Sequence, residues 1–111
     1  MKYNLSLAIE AHNDIDGIGR YIALDNLSAA KKVTARIFKV LDTIVSNPKI
    51  GASAAERFQV DTDSLYFVVL PYTYIIFYNI KAQEVKVSRV LDSRRDCMSI
   101  LGWKEPINTE D

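Results

Sequence analysis

The spacing between apolar residues changes twice along this chain, and that change constrains the fold more than any motif. Residues 2–7 alternate, with Tyr3, Leu5 and Leu7 on one side, which is typical of an amphipathic strand. From residue 8 to residue 44 the apolar residues recur three or four positions apart, as on one face of a helix. Beyond residue 65 the chain is rich in Val, Ile, Tyr and Phe, which favour strands.

Two helices are predicted between residue 8 and Asn47. Asn26 and Ser28 are good N-cap residues for the second helix, and Asn47 ends it because the residue before a proline disfavours the helical conformation. The short linker makes the pair a helical hairpin. The two apolar stripes are Ala8, Ala11, Ile15, Ile18 and Ile22, then Ala30, Val33, Ile37, Leu41 and Ile44.

Two glycines interrupt the first of these helices. Gly17 and Gly19 each weaken a helix by about 1 kcal/mol relative to alanine. We expect close approach to a neighbouring element to explain them, with a functional kink as the alternative.

The second half of the chain predicts a sheet. Strands are expected at 65–70, 73–80 and 84–91, with turns at 71–72 and 81–83. Residues 49–63 indicate a connecting loop that includes a short strand at 58–60, and residues 94–101 indicate a closing helix. In the last strand, alternation places Val85, Val87, Arg89 and Leu91 on one face.

The order strand, helix, helix, three strands predicts a two-layer α+β fold, with the helical hairpin packed on one face of a small sheet. We expect one domain over residues 1–101 and a C-terminal tail over 102–111, with Trp103 packed onto the body.

Charge and cysteine usage narrow the partners and the compartment. Fourteen basic and 14 acidic residues give a net charge of zero, so nucleic-acid binding would need a local basic patch. The lone Cys97 cannot form an intramolecular disulfide, and we expect a small buried side chain there. The sequence lacks a signal-peptide core and any apolar run near the ~20 residues of a membrane span. We therefore expect a cytoplasmic protein without a membrane partner.

Motifs for cofactors and metals are absent from the sequence. It contains no Gly-rich phosphate loop, HExxH, CxxC or GxSxG. One His and one Cys far apart do not suggest a metal site, so no cofactor or metal is expected. His12 is predicted to lie on the surface.

One cluster of side chains has the chemistry of a binding site. Guanidinium groups grip carboxylates or phosphates through two parallel hydrogen bonds, and tyrosines nearby add rings and hydroxyls. An equally good interpretation is a salt-bridged strand end with tyrosines in the core. The cluster comprises Arg89, Arg94 and Arg95, with Asp92 and Asp96 among them and Tyr72, Tyr74 and Tyr78 on the adjacent strand.

Three stretches resemble the RelE/ParE superfamily of bacterial toxins from type II toxin–antitoxin systems. They are AHNDIDGIGRYIALDNLSAA at 11–30, NPKIG at 47–51 and YIIFYNIKAQEVKVSRVLDSRRD at 74–96. Their order fits the family over residues 2–101. The resemblance implies the same fold and a cognate antitoxin that covers the helices or the sheet. It also implies one of two activities: ribosome-dependent cleavage of messenger RNA, as in RelE-like members, or inhibition of DNA gyrase, as in ParE-like members.

Three departures from the family favour the ParE-like branch. Asp92 stands where many members have His, residues 65–70 contain no Arg, and the chain is neutral although phosphate binding draws on positive charge. A target-binding surface is therefore expected at Arg89, Arg94, Arg95, Tyr78 and Asp92. If the chain were a ribonuclease instead, Asp92, Arg95 and Tyr78 would be its catalytic candidates. A third alternative is a degenerate, non-toxic interaction domain.

The expected assembly follows from the same resemblance. Isolated apolar residues, Leu27 and Trp103 among them, offer an antitoxin a surface to cover. A homodimer of the toxin and a heterotetramer with the antitoxin are both possible assemblies.

Overall fold

A helical hairpin and a five-stranded sheet make up the computed structural model, which describes residues 3–103. The α+β fold predicted from the sequence is confirmed. No helix within this range is long and apolar enough to cross a membrane. The elements are β1 (Asn4–Leu7), α1 (Ile9–Ala23), α2 (Leu27–Ser46), a 3₁₀ helix (Pro48–Ile50), β2 (Ala52–Ser53), α3 (Ala54–Phe58), β3 (Leu65–Val69), β4 (Tyr74–Lys81), β5 (Glu84–Asp92) and α4 (Cys97–Leu101).

The sheet has the order β1-β5-β4-β3-β2. β1 pairs with β5 in parallel, with Asn4 opposite Glu84 and Leu7 opposite Val87. The other pairs are antiparallel. The first and last strands of the described residues are therefore neighbours in the sheet.

Residues 49–63 are more ordered than predicted. The expected strand at 58–60 is wrong, because Ala54–Phe58 forms α3 and Gln59 ends it in a left-handed conformation with φ of 56°. The Glu56 amide donates a hydrogen bond to Ser53 Oγ at 3.2 Å and so caps the helix. Ala52 and Ser53 add a fifth strand, β2, that the sequence analysis did not identify.

The hairpin helices cover one face of the sheet and enclose the main core. Asn26 caps α2 by accepting a hydrogen bond from the Ala29 amide at 3.0 Å, as predicted. The predicted apolar stripes supply most of the helical contribution to the core. Its buried members are Ala11, Ile15, Val33, Ile37, Val40, Leu41, Ile44, Val69, Ile76, Tyr78, Val85, Val87 and Val90.

A second, smaller core lies on the other face of the sheet. Trp103 packs there, with its ring centroid 5.4 Å from that of Phe58 and 5.8 Å from that of Phe77. Cys97 is 5% exposed, as expected for a small buried side chain. Trp103 therefore packs onto the body, as predicted, and its side chain is only partly exposed. The rest of the predicted tail, 104–111, lies outside the described residues.

A β-bulge in β5 reverses the alternation of its side chains. Val87 pairs with Tyr78 and Arg89 pairs with Phe77, so Ser88 is an extra residue. Beyond the bulge, Val90 joins the core under the helices, whereas Leu91 belongs to the core on the other face. The predicted common face for Val85, Val87, Arg89 and Leu91 is therefore wrong for Leu91.

Candidate functional site

The strands β4 and β5 end side by side next to α1, and an open cleft lies between them and that helix. Tyr74, at the start of β4, stands opposite Asp92, at the end of β5. The cleft, called here the α1–β5 cleft, has a volume of about 710 Å³. It is lined by Asn13, Asp14, Gly17, Ile18, Tyr21, Ile22, Tyr74, Val90, Leu91, Asp92, Arg94 and Arg95.

Asp92 is held at the mouth of this cleft by hydrogen bonds from Thr73 and Arg94. Its Oδ1 accepts hydrogen bonds from Thr73 Oγ1 and from the Arg94 amide, both at 3.0 Å, and its Oδ2 accepts one from Arg94 Nη2 at 2.7 Å. The Arg94 guanidinium is the main reason that the pKa of this carboxyl falls from 3.8 to about 2. Asp92 is therefore an anion at neutral pH, and its oxygens are engaged within the protein.

Arg94 and Arg95 extend from the turn after β5 into solvent. The Arg94 side chain is 74% exposed although it pairs with Asp92, which raises the pKa of the guanidinium. The Arg95 amide donates to the Asp92 carbonyl at 3.0 Å, which fixes the backbone of the turn. The ion pairs found within residues 3–103 leave the exposed Arg95 side chain without an acidic partner there. Two guanidinium groups thus face outward from one turn.

Arg89 is tied to α1 by an ion pair with Asp14. Its Nε and Nη2 donate to the two carboxylate oxygens of Asp14 at 2.7 and 2.8 Å. The Val90 amide donates to the same carboxylate at 2.9 Å. The hydrogen bond to Asp14 is also the main cause of the raised pKa of Arg89. Arg89, which was predicted for the target-binding surface, links α1 to β5 in the structure.

Tyr78 is a core residue, contrary to its predicted place in the target-binding surface. The side chain has 0% exposure, and burial raises the pKa of its hydroxyl. That hydroxyl donates to the Pro48 carbonyl at 2.7 Å and accepts from the Gly51 amide at 2.9 Å. It therefore holds the segment after α2 against the sheet and does not contact solvent.

Two tyrosines other than Tyr78 belong to the cleft. Tyr74 lies beside Asp92, and its pKa is raised first by burial and then by that carboxylate, so it stays a neutral hydroxyl. Tyr21 on α1 is 76% exposed. Tyr21 and Asp14 were not among the site residues predicted from the sequence, although both lie beside the apolar stripe of α1.

The remaining polar candidates lie elsewhere. His12 is exposed, as predicted, and lines a groove between α1 and α2 rather than the α1–β5 cleft. Within residues 3–103 there is no group of three or more His, Cys, Asp or Glu side chains arranged to hold a metal ion.

Comparison with known proteins gives one family and one fold. A family model described as the ParE toxin of the type II toxin–antitoxin system parDE matches residues 5–97. A solved structure described as the chromosomal ParDE toxin–antitoxin system from P. aeruginosa is similar with a TM-score of 0.66. The likeness has 16% sequence identity and covers 80% of this chain and 94% of that one, so it establishes the shared fold. No curated protein matches the chain.

Proposed function

Because the chain belongs to the ParE toxin family of type II toxin–antitoxin systems, we propose that it arrests bacterial growth by binding and inhibiting DNA gyrase. A cognate antitoxin binds the toxin and silences it. The observation that carries this proposal is the outward pair of guanidinium groups on Arg94 and Arg95, anchored by Asp92. An arginine fork matches the geometry of carboxylates on a protein target.

The state of the same residues argues against ribonuclease chemistry. A general acid or base works best when its pKa lies near the operating pH, whereas the pKa of Asp92 is about 2. The Tyr78 hydroxyl is bonded to Pro48 and Gly51 inside the core. These properties of Asp92 and Tyr78 support a toxin that acts by binding over one that cleaves RNA.

The antitoxin has an exposed apolar surface available on the helical hairpin. Four large side chains are well exposed, three of them near the tip of the hairpin and one farther along α2, and groups of this kind mark sites of protein association. They are Tyr21 at 76%, Leu24 at 82%, Leu27 at 61% and Phe38 at 48%. Leu27 and Phe38 also line the groove between α1 and α2. This surface supports the expected partner, while a homodimer and a toxin–antitoxin heterotetramer remain alternative assemblies that a solution mass measurement distinguishes.

The test is expression without antitoxin, followed by separate assays of DNA supercoiling and of messenger integrity. The wild type should arrest growth and inhibit gyrase, and Arg95→Ala should weaken inhibition about tenfold or more while leaving the fold and protein level unchanged. Lys81→Ala is the control, because it removes the same charge from an exposed position at the far end of the β4–β5 hairpin, opposite Glu84.

Two results would replace this proposal. Cleavage of ribosome-bound messenger that Asp92→Asn or Arg95→Ala abolishes would establish the ribonuclease. Normal growth at full expression of the wild type would identify a non-toxic interaction domain.

A further inference from the structure

Gly17 lies at an exposed position in α1, and no neighbour within residues 3–103 explains it. Among those residues, a Cβ atom built at Gly17 meets no atom within 4 Å, whereas one at Gly19 lies 3.2 Å from Thr34 Cγ2. The predicted close approach to a neighbouring element therefore holds for Gly19 and fails for Gly17. Because glycine weakens a helix relative to alanine, Gly17 lowers the stability of α1, and the described contacts do not offset that loss.

The position of Gly17 suggests what the glycine serves. It lines the α1–β5 cleft, between the exposed ring of Tyr21 and the side chains of Asp14 and Ile18, and across the cleft stand Arg94 and Arg95. An exposed glycine on a helix lets a second backbone come closer than any side chain would allow.

In the cleft, the carboxylate acceptors already have hydrogen-bond partners within residues 3–103, whereas several donors do not. Its two carboxylates are occupied from within, Asp14 by Arg89 and Val90 and Asp92 by Thr73 and Arg94. The groups left over are mostly donors: the remaining guanidinium N–H groups of Arg94 and Arg95 and the hydroxyls of Tyr21 and Tyr74. A cleft with free donors and engaged acceptors complements a ligand rich in acceptors.

The wall of the cleft is apolar, which favours a ligand that also carries an apolar side chain. Ile18 and Ile22 are half-buried, and Val90 beneath them is 1% exposed. A bound segment would thus meet apolar side chains below and guanidinium groups at the rim.

We propose that the α1–β5 cleft is where the toxin binds its target, that its occupant is an acidic segment of the target protein, and that the backbone of this segment lies against Gly17. This inference rests on the proposed function, which supplies gyrase as the target. Acidic side chains of the segment pair with Arg94 and Arg95, and an apolar side chain of the segment packs on Ile18 and Tyr21.

The experiment compares Gly17→Ala and Gly17→Leu with the wild type, using purified DNA gyrase as the probe. Because space is open at Gly17, both variants should fold, and Gly17→Ala should raise Tm by about 4 °C. Affinity for gyrase should fall about fivefold with alanine and about 50-fold or more with leucine. Wild-type affinity should also weaken as salt rises, because guanidinium–carboxylate contacts at a rim are screened. Ala35→Leu is the matched control, since it adds a leucine at an exposed position of α2 away from the cleft and should change neither property.

Growth arrest, measured at equal protein levels, separates failure of this inference from failure of the proposed function. If the wild type inhibits gyrase and Gly17→Leu inhibits it equally, the cleft assignment is overturned while the proposed function stands. If the wild type arrests growth without inhibiting gyrase, the proposed function fails, and loss of arrest in Gly17→Leu still supports the cleft. A wild type that neither arrests growth nor binds gyrase overturns both.

The chain's own C-terminal segment is the competing occupant. Residues 104–111 carry three acidic residues and one lysine. If a synthetic peptide of this sequence competes with gyrase for the wild type but does not bind Gly17→Leu, the cleft belongs to that segment, and the inference is overturned.

Discussion

Replacing Tyr78 by phenylalanine removes one hydroxyl from the core and tests whether this residue is structural. The hydroxyl donates to the Pro48 carbonyl and accepts from the Gly51 amide, and it joins β4 to the 3₁₀ helix that follows α2. A Cβ on residue 51 would lie 2.3 Å from this oxygen, which shows how closely the two segments approach. Tyr78→Phe keeps the ring and leaves both backbone groups without their partner.

The expected cost follows from those two contacts. Each lost hydrogen bond that leaves a buried backbone group unsatisfied destabilises by about 1 to 1.5 kcal/mol, so the sum is about 2 to 3 kcal/mol. For a domain of this size that corresponds to a fall in Tm of about 10 °C. Binding of gyrase by the folded fraction should stay within about twofold of the wild type, because Tyr78 has 0% exposure.

Urea unfolding measures the free energy, and a gyrase-binding assay below the unfolding transition measures function. Tyr66→Phe is the control, because it removes the same hydroxyl from a half-buried ring on the neighbouring strand, at the position opposite Phe77. Its effect should remain under about 1 kcal/mol. If Tyr78→Phe unfolds like the wild type yet no longer binds gyrase, the hydroxyl acts at the target surface and our assignment of Tyr78 to the core is refuted.

Two further predictions concern the carboxylates of the α1–β5 cleft. Asp14→Asn should destabilise by about 2 kcal/mol, because it leaves the partly buried Arg89 guanidinium without its anion, whereas Asp16→Asn, which breaks an exposed pair, should cost under about 0.5 kcal/mol. Equal urea midpoints for the two variants would contradict this. The pKa of Asp92 is lower in the folded than in the unfolded protein, so its ionised form stabilises the fold. This stabilisation, about 1 to 2 kcal/mol after allowance for the exposed Arg94, is complete above pH 4 and is lost as the pH falls toward about 2. The stability difference between the wild type and Asp92→Asn should shrink over that range, and a difference independent of pH would exclude the ion pair as its source.

The helices and the long strands could be predicted from the sequence because their apolar residues repeat with a regular period. The five-residue helix α3 has no such period, yet it carried a local signal: Ser53 followed three residues later by Glu56 is a capping pattern. The bulge at Ser88 has no such signal in the local sequence. One inserted residue in an apolar strand looks the same in the sequence as unbroken alternation, and the faces of Val90 and Leu91 are then misassigned.

The candidate site was predicted less well, for a related reason. The proximity of Asp92, Arg94 and Arg95 could be predicted, because all three lie within four residues of one another in a single turn. It could not show that Tyr78 finds its partners about 30 residues upstream, in a segment expected to be a loop. Nor could it pair Arg89 with Asp14, which lies about 75 residues away and is brought near only by the hairpin.

The parallel pairing of β1 with β5 has a consequence for how the molecule folds. Asn4 and Glu84 are partners roughly 80 residues apart, so closing this loop costs about 4 kcal/mol of chain entropy before any contact offsets it. During synthesis the helical hairpin emerges long before β5, and its apolar stripe has no Val85, Val87 or Val90 to pack against until the last strand is made. A polypeptide released early therefore carries both helices but lacks the strand that joins its N-terminus to the sheet. The order of translation thus delays a finished toxin until almost the whole chain has left the ribosome.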